Sequence, residues 1–167
     1  YQREETDSDK LIALNVNYTG DLFEGGLSLL RGAEPDGITH SIVDFFGTWI
    51  LSDKFSIGCN LFHQAFDDGD GFSGNVSGVA LFPMLTLSEK TSIAFRGEIL
   101  DDKDSYFYGI DDNLLYNATL SFNYHIGNLK ITPEIRIDGS SESIFTDSKG
   151  RTTANDSFAI VGMSYQF

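Results

Sequence analysis

Side chains able to do chemistry recur at every second position of this chain. Arg96 and Glu98 stand two residues apart, as do Glu134 and Arg136, and that spacing puts each pair on one face of a β-strand. Glu24 and Asp44 share the polar parity of their own segments. Lining a wet channel, these charges would set the field through which ions and small solutes pass. In a dry interior, opposite signs would instead pair into a network that stiffens the wall and plugs the channel. The residues alone leave both readings open. Phe46, Phe62 and Phe82 take the same inward parity on three consecutive segments. Their rings offer a strip on which sugar rings or other flat apolar faces would stack in transit. Packing against an inward-folded loop is the plainer expectation, and a bulge would move any one ring to the opposite face.

Other chemistry is thin. His40, His63 and His125 stand in no metal-ligand spacing. Ser, Asn and Asp are too abundant for a nucleophilic set to be read from proximity, so no catalytic residue is assigned and no enzyme is expected. Cys59, the single cysteine, lies between Ile57 and Leu61, which suits an inert small residue on an apolar face and excludes an intrachain disulfide. Asp67, Asp68 and Asp70, in Asp67-Asp-Gly-Asp-Gly71, resemble a fragment of a calcium loop. The bidentate Glu near position twelve is missing. Asp101, Asp102, Asp104, Asp111 and Asp112 could supply ligands from the side, but solvated turn aspartates are the favoured reading. No metal and no cofactor is expected.

A run of strands must position these residues. Ala159, Val161, Met163, Tyr165 and Phe167 alternate with Gly162, Ser164 and Gln166, and Leu129, Ile131, Pro133, Ile135 and Ile137 alternate with Lys130, Thr132, Glu134, Arg136 and Asp138. Period 2 of this kind marks strands with two unlike faces. It predicts nine strands, over 11–19, 21–30, 40–52, 54–65, 75–88, 90–101, 114–126, 129–138 and 156–167. Most reach the roughly 9–11 residues with which a tilted strand crosses a membrane. Tight turns at Thr19-Gly20-Asp21, Ser52-Asp53-Lys54, Ser88-Glu89-Lys90 and Gly127-Asn128 alternate with long polar loops at 1–10, 31–40, 66–74, 102–113 and 139–155. Two turns repeat, as Leu51-Ser-Asp-Lys-Phe-Ser-Ile57 and Leu87-Ser-Glu-Lys-Thr-Ser-Ile93. Short turns at one end and long loops at the other describe an up-and-down antiparallel barrel of the outer-membrane kind.

Composition narrows the partners. The 167 residues carry 25 Asp+Glu against 11 Lys+Arg, a net charge of −14, which argues against nucleic acid. With 41% hydrophobic and 13% aromatic residues, the chain is no solvated acidic tail. No run approaches about 18 apolar residues, so no transmembrane helix is expected. Tyr1 opens the chain without a basic or apolar leader behind it, as in a mature or trimmed product.

Alternation alone does not say which face meets water, since a soluble lipocalin-like barrel buries its apolar face. Three features favour a membrane barrel, with apolar residues toward lipid. Tyr18, Phe23, Trp49, Phe55, Tyr124 and Tyr165 lie on the apolar face near tight turns or the C-terminus, as an interfacial girdle does. The polar face mixes charges with Asn, Ser, Thr and Gly. The last strand closes on Met163, Tyr165 and Phe167.

These residues resemble outer-membrane β-barrels, and the terminal strand resembles the assembly signal read by the barrel-insertion machinery. Leu14-Asn-Val-Asn-Tyr18, the Leu-Ser-Asp-Lys-Phe-Ser-Ile turn, Ala94-Phe-Arg-Gly-Glu98 with Asp101-Asp-Lys-Asp104, and Ile131-Thr-Pro-Glu-Ile-Arg-Ile-Asp138 are similar to the OmpL-like β-barrel porin family. Family members are longer, so the resemblance implies that the chain matches a C-terminal half. Strand counting agrees. Nine strands with a periplasmic C-terminus put the first strand's start outside, whereas a whole bacterial barrel has an even number. Either an odd number of strands precedes residue 11, giving a barrel of about 12 to 16 strands, or 21–167 closes as eight.

The resulting expectation is an all-β, single-domain barrel of the bacterial outer membrane, a porin-like channel for passive diffusion of small hydrophilic solutes. A non-conducting barrel that anchors a surface complex is the alternative. The partners expected are outer-membrane lipid, the assembly machinery during insertion and other outer-membrane subunits. Taken as 1–10, 31–40, 65–75, 101–113 and 138–156, the long loops hold 18 acidic and 6 basic residues, a net of −12. That rim should draw cations, an effect that fades with salt.

Overall fold

Alternating β-branched and aromatic residues, broken by Ser, Asp and Gly, leave this chain with strands and no helix among the described residues. The structure, a computed structural model, describes residues 10–33, 37–71, 73–104, 109–110 and 112–167. Eight long strands follow one another: β1 (Leu11–Thr19), β2 (Phe23–Ala33), β3 (Thr39–Ser52), β4 (Phe55–Asp67), β5 (Ser73–Ser88), β6 (Thr91–Asp102), β7 (Asn113–Ile126) and β8 (Leu129–Ser140). Two short strands, β9 (Phe145–Thr146) and β10 (Thr152–Thr153), then form a separate hairpin, and β11 (Asn155–Tyr165) returns beside β8. The result is one nine-stranded antiparallel sheet in the order β1 to β8, then β11. β1 and β11 are its two edges and do not pair with each other, so neither these nine strands nor the eight from residue 21 onward close as a barrel.

The repeated turn sequence has a common structural cause. Ser52 Oγ accepts from the Lys54 and Phe55 N–H groups at 3.3 and 3.1 Å. Ser88 Oγ accepts from Lys90 N–H at 3.2 Å and bonds Thr91 Oγ1 at 2.7 Å. Each serine thus folds the turn back locally, and the ladder shifts register just before it, at Ile50/Ser52 and Thr86/Ser88. In the turn between β7 and β8 the geometry needs a positive φ, and Gly127 supplies it at 57°.

Strands run further toward the long-loop end than periodicity predicts. β2 continues to Ala33, β4 to Asp67 and β8 to Ser140, while β5 begins at Ser73. Apart from Phe66 the added residues are polar, charged or small, so ladder hydrogen bonds continue where the hydropathy signal has ended. The expected 139–155 loop contains the β9–β10 hairpin, and the final strand stops at Tyr165 rather than Phe167. Pro83 and Pro133 interrupt the ladder from within. The β5–β6 pairing steps from Leu81↔Gly97 to Met84↔Ala94, and β7–β8 from Ser121↔Glu134 to Tyr124↔Ile131, since proline has no N–H to donate.

Burial is inverted relative to a water-soluble protein. Buried hydrophobic residues among those described are Cys59, Phe66, Val76 and Ala80. The apolar face stands open, with Ile135 62% and Met163 71% exposed. Such a continuous apolar surface is of the kind a membrane barrel turns toward lipid.

Candidate functional site: the polar face of the sheet

Strand register gathers the polar side chains into rows. Arg96, Thr119, Arg136 and Phe158 are successive cross-strand partners on β6, β7, β8 and β11. The next row toward the long loops is Glu98, Asn117, Asp138 and Asp156. On the same face in the other half of the sheet, Glu24, Thr48, Gly58 and Phe82 form a row across β2 to β5. Asp44, Phe62 and Gly78 form another across β3 to β5. Glu24, Asp44, Phe46, Phe62, Phe82, Arg96, Glu98, Glu134 and Arg136 therefore share one face.

They do not form one cluster. Arg96 bonds Glu98 on its own strand, with Nε at 2.9 Å from Oε2 and Nη2 on the same oxygen. Asn117 Nδ2 donates to that oxygen from β7 at 3.1 Å. Arg136 pairs with Asp138 rather than Glu134, through Nε at 2.9 and 3.0 Å and Nη2 at 2.7 Å. Glu134 accepts from Ser121 Oγ at 2.6 Å. Among these residues the opposite signs thus form two ion pairs, each along one strand. Asp44 accepts from Asn60 Nδ2 at 2.6 Å, and Glu24 lies strands away from both arginines. The Arg-x-Glu and Arg-x-Asp spacings were the available signal for Asp138. Nothing local marked Asn117 or Phe158, whose ring lies 5.9 Å from the Arg136 guanidinium carbon.

The phenylalanine strip is also split. The Arg96 guanidinium carbon sits 5.4 Å from the centre of the Phe82 ring, within cation–π range. Phe46 and Phe62 lie over their cross-strand partners Gly26 and Gly78, and a Cβ at either glycine would run into the ring. Among the described residues these rings lie against glycines and a guanidinium.

At the long-loop end the acidic residues serve turns. Asp67 Oδ1 accepts from Gly69 N–H at 2.8 Å, and Asp68 Oδ1 from Asp70 N–H at 2.9 Å. Asp104 Oδ2 accepts from the Asn75 backbone and side chain at 2.7 and 3.0 Å. No group of three His, Cys, Asp or Glu among the described residues is placed to hold a metal ion. Asp111 lies outside the described residues. In the β9–β10 hairpin, the Arg151 backbone N–H and then its side chain hold the Asp147 carboxyl below its ordinary value, helped by Lys149 N–H.

The opposite face carries the aromatic girdle at the tight-turn end. The Phe23 ring lies 6.1 Å from Tyr18, 4.9 Å from Trp49 and 6.5 Å from Phe45. Met163 and Tyr165 lie on this face in β11. Phe167 follows the strand, its ring edge-on to Tyr165 at 5.4 Å.

Comparison with known proteins agrees with this architecture. Residues 7–167 match the family described as "Putative beta-barrel porin-2, OmpL-like". Among solved structures, an anion-selective porin from Comamonas acidovorans superposes with a TM-score of 0.74 at 11% identity, covering 94% of this chain and 49% of that one. The NanC porin superposes with a TM-score of 0.60 at 14% identity, covering 95% of this chain and 79% of that one. The chain thus spans about half the length of the Comamonas porin. No curated protein matches it. An antiparallel sheet with an exposed apolar face, an aromatic girdle and a charged opposite face, matched by the family over residues 7–167, means that the chain belongs to the OmpL-like β-barrel porins.

Proposed function

We propose that the polar face lines a water-filled path in an outer-membrane porin, through which small hydrophilic solutes diffuse passively without cofactor or covalent chemistry. The observation that carries this reading is the inversion of the faces: apolar side chains stand exposed while Arg96, Glu98, Glu134 and Arg136 lie together on the other side. In that path Glu24, Asp44 and these four residues set the field, and Phe46, Phe62 and Phe82 shape the wall. β1 and β11 both run from the long-loop end toward the tight turns. An antiparallel closure of the complete barrel therefore needs an odd number of further strands between them. Met163, Tyr165 and Phe167 are the segment offered to the assembly machinery.

The acidic long-loop end is proposed to draw cations to the mouth. The Comamonas neighbour is described as anion-selective, but 11% identity carries the fold alone, and selectivity follows each chain's own charges. Reversal potentials of the full-length protein in planar bilayers under a KCl gradient test this. Cation preference is expected at low salt, fading near 1 M, where the Debye length falls to about 3 Å. Anion preference overturns the rim assignment. A folded, inserted protein that never conducts overturns the channel and leaves an anchoring barrel.

A further inference from the structure

We infer that the cleft between β6, β7 and β8 on the polar face is a subsite for a zwitterionic solute of the α-amino-acid class. This rests on the reading of that face as the solute path. The cleft encloses about 330 Å³ among Glu98, Asn117, Arg136 and Asp138, with Leu100 and Leu115 on its floor and Phe145 of the hairpin beside it. That volume is enough for a small solute.

Its hydrogen-bonding capacity is unevenly spent. Glu98 accepts from Arg96 and Asn117 through Oε2, leaving Oε1 among the described contacts. A carboxylate only accepts, so Glu98 dictates that the Asn117 amide turns its NH₂ group toward it. Asn117 Oδ1 is then buried without a hydrogen-bond partner, an arrangement that native structures rarely tolerate. Arg136 uses Nε and Nη2 on Asp138, leaving Nη1. The cleft thus offers an unused carboxylate oxygen on the β6 side and an unused guanidinium donor on the β8 side, with apolar residues at hand.

These features select by charge pattern. Arg96 and Arg136 occupy one row, and Glu98 and Asp138 the next. Asp156 in the acidic row and Glu134 beside Arg136 add two further carboxylates on this face, so a lone anion is disfavoured, and only a dipole engages both ordered rows. An ammonium donates to Glu98, a carboxylate accepts from Arg136, and an aliphatic side chain covers Leu100, Leu115 and Phe145. A neutral sugar would carry no charge to meet the rows.

The test is equilibrium binding of L-leucine to the detergent-solubilised full-length protein, beside isoamylamine and 4-methylpentanoate, which keep one charge each. Leucine is expected to bind at least about tenfold tighter than either analogue. Asn117→Leu and Arg136→Met should each abolish that preference. Phe145→Ala, which touches neither ion pair, should weaken leucine and spare glycine. Heat-modifiable gel migration identifies folded variants, and if Asn117→Leu fails to fold, the other two decide. Equal binding of the three probes, or an undiminished preference in the folded variants, overturns the subsite. Leucine preference in a protein that never conducts sinks the channel and keeps the subsite. Conductance without that preference does the reverse.

Discussion

Across β2 to β5 the polar face is filled by rings laid over glycines, whereas across β6 to β8 it is filled by guanidinium–carboxylate pairs. The two halves answer the same need with different physics. A ring lying on a glycine occupies the volume a side chain would have taken, so its fit is steric and unforgiving. A guanidinium on a flexible stem pairs with a carboxylate two residues along, and the Arg136 side chain remains 35% exposed. Screening by solvent keeps such a pair's stabilisation small, but its field reaches any solute in the path. One half therefore governs stability, and the other sets the field along the proposed path.

The largest effect is expected on the apolar back that both halves share. Leu120→Arg places a charge on the lipid face and should cost about 2–4 kcal/mol. Ser121→Arg, one residue away on the polar face and opposite Glu134, should cost far less. Urea unfolding in detergent or lipid measures both, and equal losses would mean that the faces are misassigned. Within the ring half, Gly78→Val drives a side chain into Phe62 and should cost about 1–3 kcal/mol. Gly162→Ala, whose added Cβ would meet nothing closer than 3.7 Å, is the control. Within the charge half, Arg136→Met should change stability by at most about 1 kcal/mol while moving the reversal potential further toward cations. A large stability loss with unchanged selectivity would erase the contrast between the halves.

The smallest effect is in the hairpin beyond them. Arg151 and Lys149 hold the Asp147 carboxyl below its ordinary value, so its folded-state pKa lies beneath its unfolded one. Its contribution is therefore full above the ordinary carboxylate range and is lost as pH falls through the depressed value. Amide exchange at Lys149 and Arg151 should stay slow on acidification until below that range. In Asp147→Asn this dependence should vanish.

Strand parity was legible because it is covalent: successive side chains alternate whatever the strand packs against. It placed Arg96, Glu98, Glu134, Arg136 and the three phenylalanines on one face before any register was known. Strand ends toward the long loops were not legible, because Arg31-Gly-Ala33, Ser73-Gly-Asn75 and Gly139-Ser140 carry no alternation while their backbones still pair. Nor was the partner of Arg136. Glu134 and Asp138 stand equally far from it in the sequence, and only the register, which sets Ser121 opposite Glu134, gives that carboxylate another donor.

By itself, then, the sequence determined the nine-strand alternation, the tight-turn and long-loop ends, the family resemblance and the acidic excess at one end, since all of these reside in local order along the chain. Tertiary structure decided which carboxylate meets which guanidinium, which rings lie on glycines, and that Asn117 buries an oxygen without a partner. It also decided that the two edge strands run the same way and do not meet. Those outcomes depend on cross-strand distances of a few ångströms, which no spacing along one strand encodes.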